Sequence, residues 1–171
     1  MAVLHRLGVA GLRRTGGAGD LGVDIRGSLV LGGRGRVAVP LLGQCKCEST
    51  KVGPATIREF EGVLQREAVY SKESKEAAAA FIGVVASRKG FSSAAVDVFR
   101  TSRFALLLLT LDVDVRVPAS TATVSLSLNQ QARKNWPLLS APELLLPSKD
   151  MEGNFWRSTL LWDGKRNFCP P

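Results

Sequence analysis

Histidine is almost absent from this sequence, and its scarcity excludes several kinds of chemistry. The chain of 171 residues contains one histidine, His5, close to its first residue. A serine or cysteine nucleophile is normally activated by a nearby histidine, so we do not expect a hydrolase of that type. A structural zinc site needs about four ligands, and a single histidine beside three cysteines argues against one.

Cysteine is also scarce, with Cys45, Cys47 and Cys169 as its three positions. An odd number of cysteines gives no complete disulfide framework, so a reducing compartment is expected. Cys45 and Cys47 lie two residues apart on a predicted strand, which places both on one face of that strand.

The sequence lacks a long apolar run and has few acidic residues. Its apolar runs, such as Phe104 to Leu111, are far shorter than the ~20 residues of a membrane-spanning helix, so no span is predicted. Lysine and arginine number 23 against 15 aspartates and glutamates, which gives a net charge of +8. This excess favours a polyanionic partner, with nucleic acid the first candidate. It also suits a protein of the mitochondrial matrix.

The length suits one folded domain with a substantial core. Residues 1–15 carry Arg6, Arg13 and Arg14 and no acidic residue. We interpret them as a short basic N-terminal segment, which a truncated chain start or a transit signal would explain. Residues 16–171 are predicted to form a single domain.

Apolar patterning predicts an α/β fold. Val23 to Leu31 and Val37 to Cys47 predict two strands of a hairpin joined by a glycine-rich turn. Further along the chain, strands and helices alternate, as in layered α/β proteins. The predicted elements are helices at 53–69, 90–101 and 129–136 and strands at 77–86, 104–111 and 124–128. The first helix is predicted to have an apolar face made of Ile57, Phe60, Val63 and Leu64. Ser92 or Ser93 is expected to cap the second helix.

The segment from Gly16 to Gly27, GGAGDLGVDIRG, admits two interpretations. Gly17, Gly19 and Gly22 match the G-x-G-x-x-G spacing of a dinucleotide-binding turn. Such a turn follows a strand and opens a helix. Here the preceding residues lack a long apolar run, and the following VDIRGSLVL favours a strand, so the context argues against a cofactor loop.

A metal site agrees better with the hairpin geometry. If the turn spans 32–36, Asp24 lies directly opposite Gln44, on the face that Lys46 shares. A carboxylate and an amide oxygen suit Mg²⁺, and a lysine beside them can activate water or offset charge on a phosphodiester transition state. A register slip of one residue, for instance at Pro40, would separate these groups.

A purely structural interpretation of the same residues stays open at this point. Asp20 could cap a turn, and Asp24 could lie exposed on a sheet edge. Gln44 and Lys46 could form the solvated face of a strand.

Three segments, GGAGDLGVDIRG, GQCKCE and VGPATIREFEGVL, resemble the Mrr-type branch of the restriction-endonuclease-like PD-(D/E)XK nuclease superfamily. The later FIGVVASRKGFSSAAVDVFRTSRFALLLLTL resembles the strand, helix and strand that follow in that branch. Within the superfamily the chain is most similar to the fungal mitochondrial "Required for respiratory growth protein 7" family. Two late segments, LSLNQQA and LLWDGKRNF, resemble the C-terminal pattern of that family.

The resemblance implies a restriction-endonuclease-like, three-layer α/β/α fold around a central mixed sheet. The helix that usually opens such nucleases is expected to be missing, and with it a metal-binding glutamate, because residues 1–15 contain no acid. The implied function is that of a mitochondrial endonuclease that uses Mg²⁺ to cut DNA and serves respiratory growth. The alternative is a catalytically inactive module with the nuclease fold that binds mitochondrial nucleic acid.

The resemblance also assigns residues to roles. Asp24 corresponds to the motif aspartate and principal metal ligand, Gln44 to the second acidic position, and Lys46 to the catalytic lysine. The Cys45 carbonyl is a further candidate metal ligand. Three arginines of the hairpin are candidates for contact with DNA: Arg26, Arg34 and Arg36.

Overall fold

The computed structural model describes Leu4 and residues 9–17, 21–31, 37–73, 81–112, 123–136, 158–162 and 166–168. The fold and the site are those of this part of the chain. The predictions for Asp20, Arg34, Arg36 and Cys169 lie outside it.

One mixed sheet of eight strands forms the centre of the described structure, and its strands are neighbours in chain order from β1 to β8. β3, β4 and β5 are parallel to one another, whereas β1, β2 and β3 alternate in direction. Parallel neighbours need a crossover connection, which α1 and α2 provide. The strands are β1 (Val9–Arg14), β2 (Ile25–Leu31), β3 (Val37–Lys46), β4 (Ile82–Ser87), β5 (Leu106–Asp112), β6 (Thr123–Leu128), β7 (Ser158–Trp162) and β8 (Arg166–Phe168), and the helices are α1 (Pro54–Glu73), α2 (Ser93–Thr101) and α3 (Gln130–Asn135).

Helix α1 forms where the sequence predicts it. Pro54 opens the helix, because its fixed φ and missing N–H suit the first helical position. Ile57, Phe60 and Leu64 recur every three or four residues and are fully buried. This confirms the predicted apolar face, and the helix continues about one turn beyond the predicted end near Val69.

Helix α2 has the predicted serine cap. The Ser92 hydroxyl accepts a hydrogen bond from the main-chain N–H of Ala95 at 3.2 Å, which satisfies one of the free donors at a helix start. Ala95 and Phe99 are buried on the side of α2 that faces the sheet.

Helices cover both faces of the sheet, so the described structure has three layers. One apolar cluster joins α1 and α2 to the sheet through residues such as Phe60 and Phe99. A second cluster on the opposite face includes Ala132 of α3 and also Leu4. The predicted α/β/α arrangement around a central mixed sheet is therefore confirmed. The expectation of a missing N-terminal helix falls on residues before Val9, outside the described ones apart from Leu4.

Close contact between α1 and β4 depends on Gly83. A Cβ at this position would lie 2.7 Å from Cδ1 of Leu64 and 2.8 Å from Cδ2 of Leu106. These distances are shorter than van der Waals contact, so the absence of a side chain lets the helix pack directly on the sheet.

The hairpin register agrees with the sequence prediction. Pairing runs without interruption from Leu31 opposite Val37 to Ile25 opposite Gly43, and Pro40 pairs without a bulge. This is the register that a turn at 32–36 dictates.

Strand β1 was missed by the sequence patterning. It pairs antiparallel with β2 at the edge of the sheet, and most of its residues are exposed after the buried Val9. A strand thus precedes the glycine segment, but β2 and not a helix follows it. The segment therefore lacks the helix start on which a dinucleotide-binding turn depends.

None of the helices in the described part of the chain is long and apolar enough to cross a membrane.

Candidate functional site

The candidate residues lie at one edge of the sheet, where the parallel strands β3, β4 and β5 end. Lys46 and Ser87, the last residues of β3 and β4, pair with each other, and Ser87 pairs with Thr110 near the end of β5. We call this the carboxyl edge. Because β2 is antiparallel to β3, Asp24 just before β2 lies at the same edge. In open α/β sheets this is the edge where ligands bind.

Main-chain hydrogen bonds fix the position of Asp24. Its N–H donates to the carbonyl of Gly43 at 2.9 Å, and its own carbonyl accepts from Thr15 at 2.8 Å and from Gly16 at 3.1 Å. A Cβ on Gly16 would lie 2.8 Å from Oδ1 of Asp24. Glycine is therefore required here for the chain after β1 to pass beside the carboxylate.

Asp24 does not continue the ladder as the sequence predicts. The residue-by-residue pairing of β2 and β3 ends at Ile25 and Gly43, one position before Asp24 would face Gln44. Instead, Oδ2 of Asp24 accepts a hydrogen bond of 2.6 Å from the main-chain N–H of Cys45. The carboxylate thus replaces a main-chain partner at the end of β3.

The amide of Gln44 lies close to Gly22, in the turn formed by Leu21 and Gly22. Its Oε1 is buried and has no hydrogen-bond partner among the described residues. A Cβ on Gly22 would lie 4.0 Å from Nε2 of Gln44 and 2.9 Å from Val63 of α1. A buried oxygen without a partner is costly, so this atom is available to a ligand that can approach it.

Helix α1 is hydrogen-bonded to the turn at Leu21 and Gly22, a contact that the sequence did not predict. Nη2 of Arg66 donates to the Leu21 carbonyl at 2.6 Å. Leu21 has a φ of 54° and Gly22 a φ of 82°, so the chain is left-handed at two successive residues. The sequence holds one indication of this contact in its helical spacing. Arg66 follows Val63 by three residues, so both side chains lie on the same side of α1.

Lys46 and Cys45 direct their groups to different neighbours. The Lys46 carbonyl accepts from Arg88 N–H at 3.4 Å, toward β4. Successive residues of a strand direct their main-chain groups to opposite sides. The N–H and C=O of Cys45 are therefore directed away from β4, toward the side where Asp24 lies. In the part of the chain that the structure describes, the Lys46 ammonium makes no ion pair.

Cys45 in β3 and Cys47, which follows that strand, do not form a reactive pair. Cys45 and Cys47 are both free and exposed. Partial burial of the thiol and the nearby charge of Asp24 raise the pKa of Cys45, although the charge of Arg14 lowers it. A raised pKa keeps a thiol protonated and therefore weakly nucleophilic.

One of the three arginines predicted to contact DNA, Arg26, makes an ion pair within the fold. Arg26 forms a two-pronged ion pair with Glu67 of α1, at 2.8 and 2.9 Å. The hydrogen bond from Arg26 lowers the pKa of Glu67, and the same contact raises the pKa of Arg26. Arg26 is therefore engaged within the fold, and its contact with DNA stays a prediction. Arg34 and Arg36 lie outside the described residues.

The oxygens at the carboxyl edge fit a hard divalent cation. Asp24 offers a carboxylate, Cys45 a carbonyl on the same side of β3, and Gln44 a buried amide oxygen without a partner. Mg²⁺ often takes only one or two carboxylates and completes its shell with water and phosphate oxygens. Within the described ranges, no cluster of three or more His, Cys, Asp or Glu residues could hold a metal. A cation here would therefore depend on neutral oxygens and phosphate besides Asp24.

Comparison with protein-family models decides the family. The model described as "Required for respiratory growth protein 7" matches residues 36–136, which is more than half of the chain. The chain belongs to this family. Its description implies a role in respiratory growth, and the matched residues include Gln44 and Lys46 but not Asp24.

Other comparisons add little to the family assignment. No sequence among the curated proteins matches the chain. A solved structure, "MspJI Restriction Endonuclease in Complex with 27-mer Oligonucleotide", is similar with a TM-score of 0.42 and 23% identity. The similarity covers 63% of this chain and 22% of that chain. The mixed sheet between helical layers is consistent with the restriction-endonuclease-like fold expected from the sequence.

Proposed function

We propose that this member of the "Required for respiratory growth protein 7" family is a mitochondrial endonuclease that hydrolyses DNA phosphodiesters with Mg²⁺. The observation that carries the proposal is the arrangement at the carboxyl edge. There the Asp24 carboxylate is fixed on the Cys45 N–H. Lys46 follows Cys45 in the chain, and its ammonium has no ion-pair partner among the described residues.

Three oxygens would hold the metal ion: the Asp24 carboxylate, the Cys45 carbonyl and the Gln44 amide oxygen. Bound Mg²⁺ supplies positive charge that stabilises the phosphodiester transition state. The hydrogen bond from Cys45 holds the Asp24 carboxylate in one orientation. The Lys46 ammonium offsets negative charge on the attacked phosphate and orients a water molecule for attack.

A second candidate function is binding without cleavage. It is favoured by the absence, among the described residues, of a group of three His, Cys, Asp or Glu side chains that could hold a metal. A module of this kind would keep the nuclease fold and bind mitochondrial DNA through its positive charge. Its affinity would then fall steeply as salt rises, because each phosphate contact releases counterions.

Cleavage by the purified chain tests the proposal. We expect Mg²⁺-dependent cleavage of labelled DNA, loss of cleavage with EDTA, and a decrease of about 100-fold or more for Lys46→Ala or Asp24→Asn. Lys134→Ala is the matched control, because Lys134 is an exposed cation of α3 on the other face of the sheet. It should cleave like the wild type.

The same assay separates the two functions. Equal cleavage by the wild type, Lys46→Ala and Asp24→Asn would exclude catalysis by these residues. Absence of cleavage by the wild type, together with strongly salt-dependent DNA binding, would favour the binding module.

A further inference from the structure

Two loops at the carboxyl edge are fastened to each other. The loop from β3 to α1 spans 47–53, and the loop from β4 to α2 spans 88–92. The Val52 N–H donates to the Gly90 carbonyl at 2.9 Å, and the Ser92 N–H donates to the Val52 carbonyl at 3.0 Å. Val52 is fully buried. The loops therefore form one rigid surface beside Lys46.

The second loop is also held from within. The buried Ser87 hydroxyl donates to the Gly90 carbonyl at 3.0 Å and accepts from the Lys89 N–H at 3.2 Å. Gly90 has a φ of 75°, which glycine adopts without strain. These contacts fix the main chain at Arg88 and Lys89 and leave both side chains exposed.

The charged side chains on this surface are mostly cationic. Lys51, Arg88 and Lys89 are exposed, and among the described residues none of them makes an ion pair. Glu48 is the one acidic residue of the two loops. We call Lys51, Arg88 and Lys89 the basic rim. It lies next to Lys46 because the Arg88 N–H bonds the Lys46 carbonyl.

The hairpin turn, in contrast, lies at the far end of β2 and β3. Its flanking pair, Leu31 and Val37, is six residues along the ladder from Ile25 and Gly43. At the rise of a strand this is ~20 Å. The Leu31 and Val37 end of the ladder is therefore remote from Asp24, whereas the basic rim lies next to Lys46.

We infer that the basic rim binds the phosphodiester backbone of the DNA strand that the Asp24 and Lys46 site would cut. The inference rests on the proposed function and adds where the strand lies. One strand of DNA carries a negative charge about every 3.4 Å of helix axis. Three cations beside Lys46 can therefore bind phosphates next to the one being cleaved. Because hydrogen bonds already hold the main chain that carries Arg88 and Lys89, only the side chains lose conformational entropy on binding.

Binding measurements with a double variant test the basic rim. We would measure the affinity of Arg88→Ala/Lys89→Ala for a labelled DNA duplex in EDTA, so that no cleavage occurs. Affinity should fall at least tenfold at about 0.1 M salt, and the slope of log K against log salt should decrease by about 2. Thermal unfolding would verify the fold, which exposed side chains should not affect.

The matched control is Arg100→Ala/Lys134→Ala, which removes the same charge. Both residues are exposed, and they lie near the ends of α2 and α3, at the edge of the sheet opposite the basic rim. An equal loss of affinity in both double variants would overturn the inference, because it would reveal a general charge effect. Tighter binding of RNA or of anionic lipid vesicles than of DNA would also overturn it.

Failure of the inference and failure of the proposed function give different results. If Asp24 and Lys46 variants lose cleavage while the rim variant binds DNA normally, the proposed nuclease function is supported and DNA binding by the basic rim is contradicted. If the rim variant loses affinity while Asp24 and Lys46 variants cleave normally, the rim stands and the catalytic assignment is wrong. A wild-type chain that binds no DNA would overturn both.

Discussion

Asn129 is a buried side chain whose hydrogen-bonding groups are all used. Its Oδ1 accepts from the N–H groups of Leu106 and Ala132, each at 3.0 Å. Its Nδ2 donates to the carbonyls of Phe99 at 3.2 Å and Phe104 at 2.8 Å. One residue thus caps α3 and joins it to the end of α2 and the start of β5.

Replacing Asn129 should therefore be severe. Asn129→Ala leaves buried main-chain groups without partners, and each such group costs about 1–3 kcal/mol when nothing replaces the bond. Because water can reach part of the opened space, we expect a total loss of about 2–4 kcal/mol in the free energy of unfolding. Urea denaturation would measure it.

A neighbouring asparagine provides the control for this prediction. Asn135 is exposed, and its Oδ1 accepts from Gln131 on the same helix. Asn135→Ala should change the free energy of unfolding by less than about 0.5 kcal/mol. Similar losses in Asn129→Ala and Asn135→Ala would contradict the structural role of Asn129.

The sequence indicated some of this residue-level detail and could not indicate the rest. It placed Asn129 at the start of a short helix. The contacts of its Nδ2 with Phe99 and Phe104 depend on how separate elements meet, which local patterning does not contain. The bond from Cys45 N–H to Asp24 was missed for a similar reason, because regular pairing was assumed to continue.

At the scale of elements, the packing of α1 on β4 is sensitive to one glycine. Gly83→Ala would add a methyl group where Leu64 and Leu106 leave no room. We expect the free energy of unfolding to fall by about 1–3 kcal/mol, the usual cost of overpacking a core. Thermal or urea denaturation would measure the change.

The opposite result is expected for Gly62, an exposed position of α1 where a Cβ would contact nothing within 4 Å. Gly62→Ala should raise stability by about 0.5–1 kcal/mol, because alanine loses less backbone entropy in a helix. Destabilisation by Gly62→Ala, or stabilisation by Gly83→Ala, would contradict the described packing.

Elements with a strong periodic signal were predicted well. The turn length set the register of β2 and β3, and apolar spacing identified the buried face of α1. Strand β1 escaped detection because an edge strand with one exposed face and a register shift between Ala10 and Arg13 has little apolar pattern.

At the scale of the whole molecule, the ion pair between Arg26 and Glu67 joins the N-terminal hairpin to the helical layer. The pKa of Glu67 is lowered from 4.5 in the fold by its hydrogen bond with Arg26. The unfolded chain therefore binds a proton more readily than the folded chain. The contribution of this pair is fully present above the unfolded pKa and is lost as pH falls through the folded pKa.

Glu67→Gln should accordingly flatten the acid side of the stability profile. We expect it to lower the free energy of unfolding at neutral pH by at most about 1 kcal/mol, because partly exposed pairs are screened by solvent. The difference from wild type should shrink between about pH 5 and 3. Glu59→Gln, at an exposed position of α1, is the control and should follow the wild-type profile. Parallel profiles for Glu67→Gln and wild type over this range would contradict the linkage.

The three-layer architecture followed from the alternation of strands and helices in the middle of the chain. Which loops meet at the carboxyl edge did not, because Val52 and Phe91 are distant in sequence and their bridge joins loops that follow two different strands. The basic rim is a product of that pairing. From the sequence, Arg26, Arg34 and Arg36 were predicted to contact DNA because they are close to the candidate site along the chain. Distances in space between separate loops are not contained in the sequence pattern.

The main-chain amide proton of Cys45 can report on the state of the Asp24 carboxylate. This proton is hydrogen-bonded to the carboxylate that would receive a metal ion. Whatever changes the electron density of that carboxylate changes the shielding of this proton. A single main-chain resonance, followed by NMR in the unaltered protein, would thus sense events at Asp24 without a label on the ligand or a substitution in the chain.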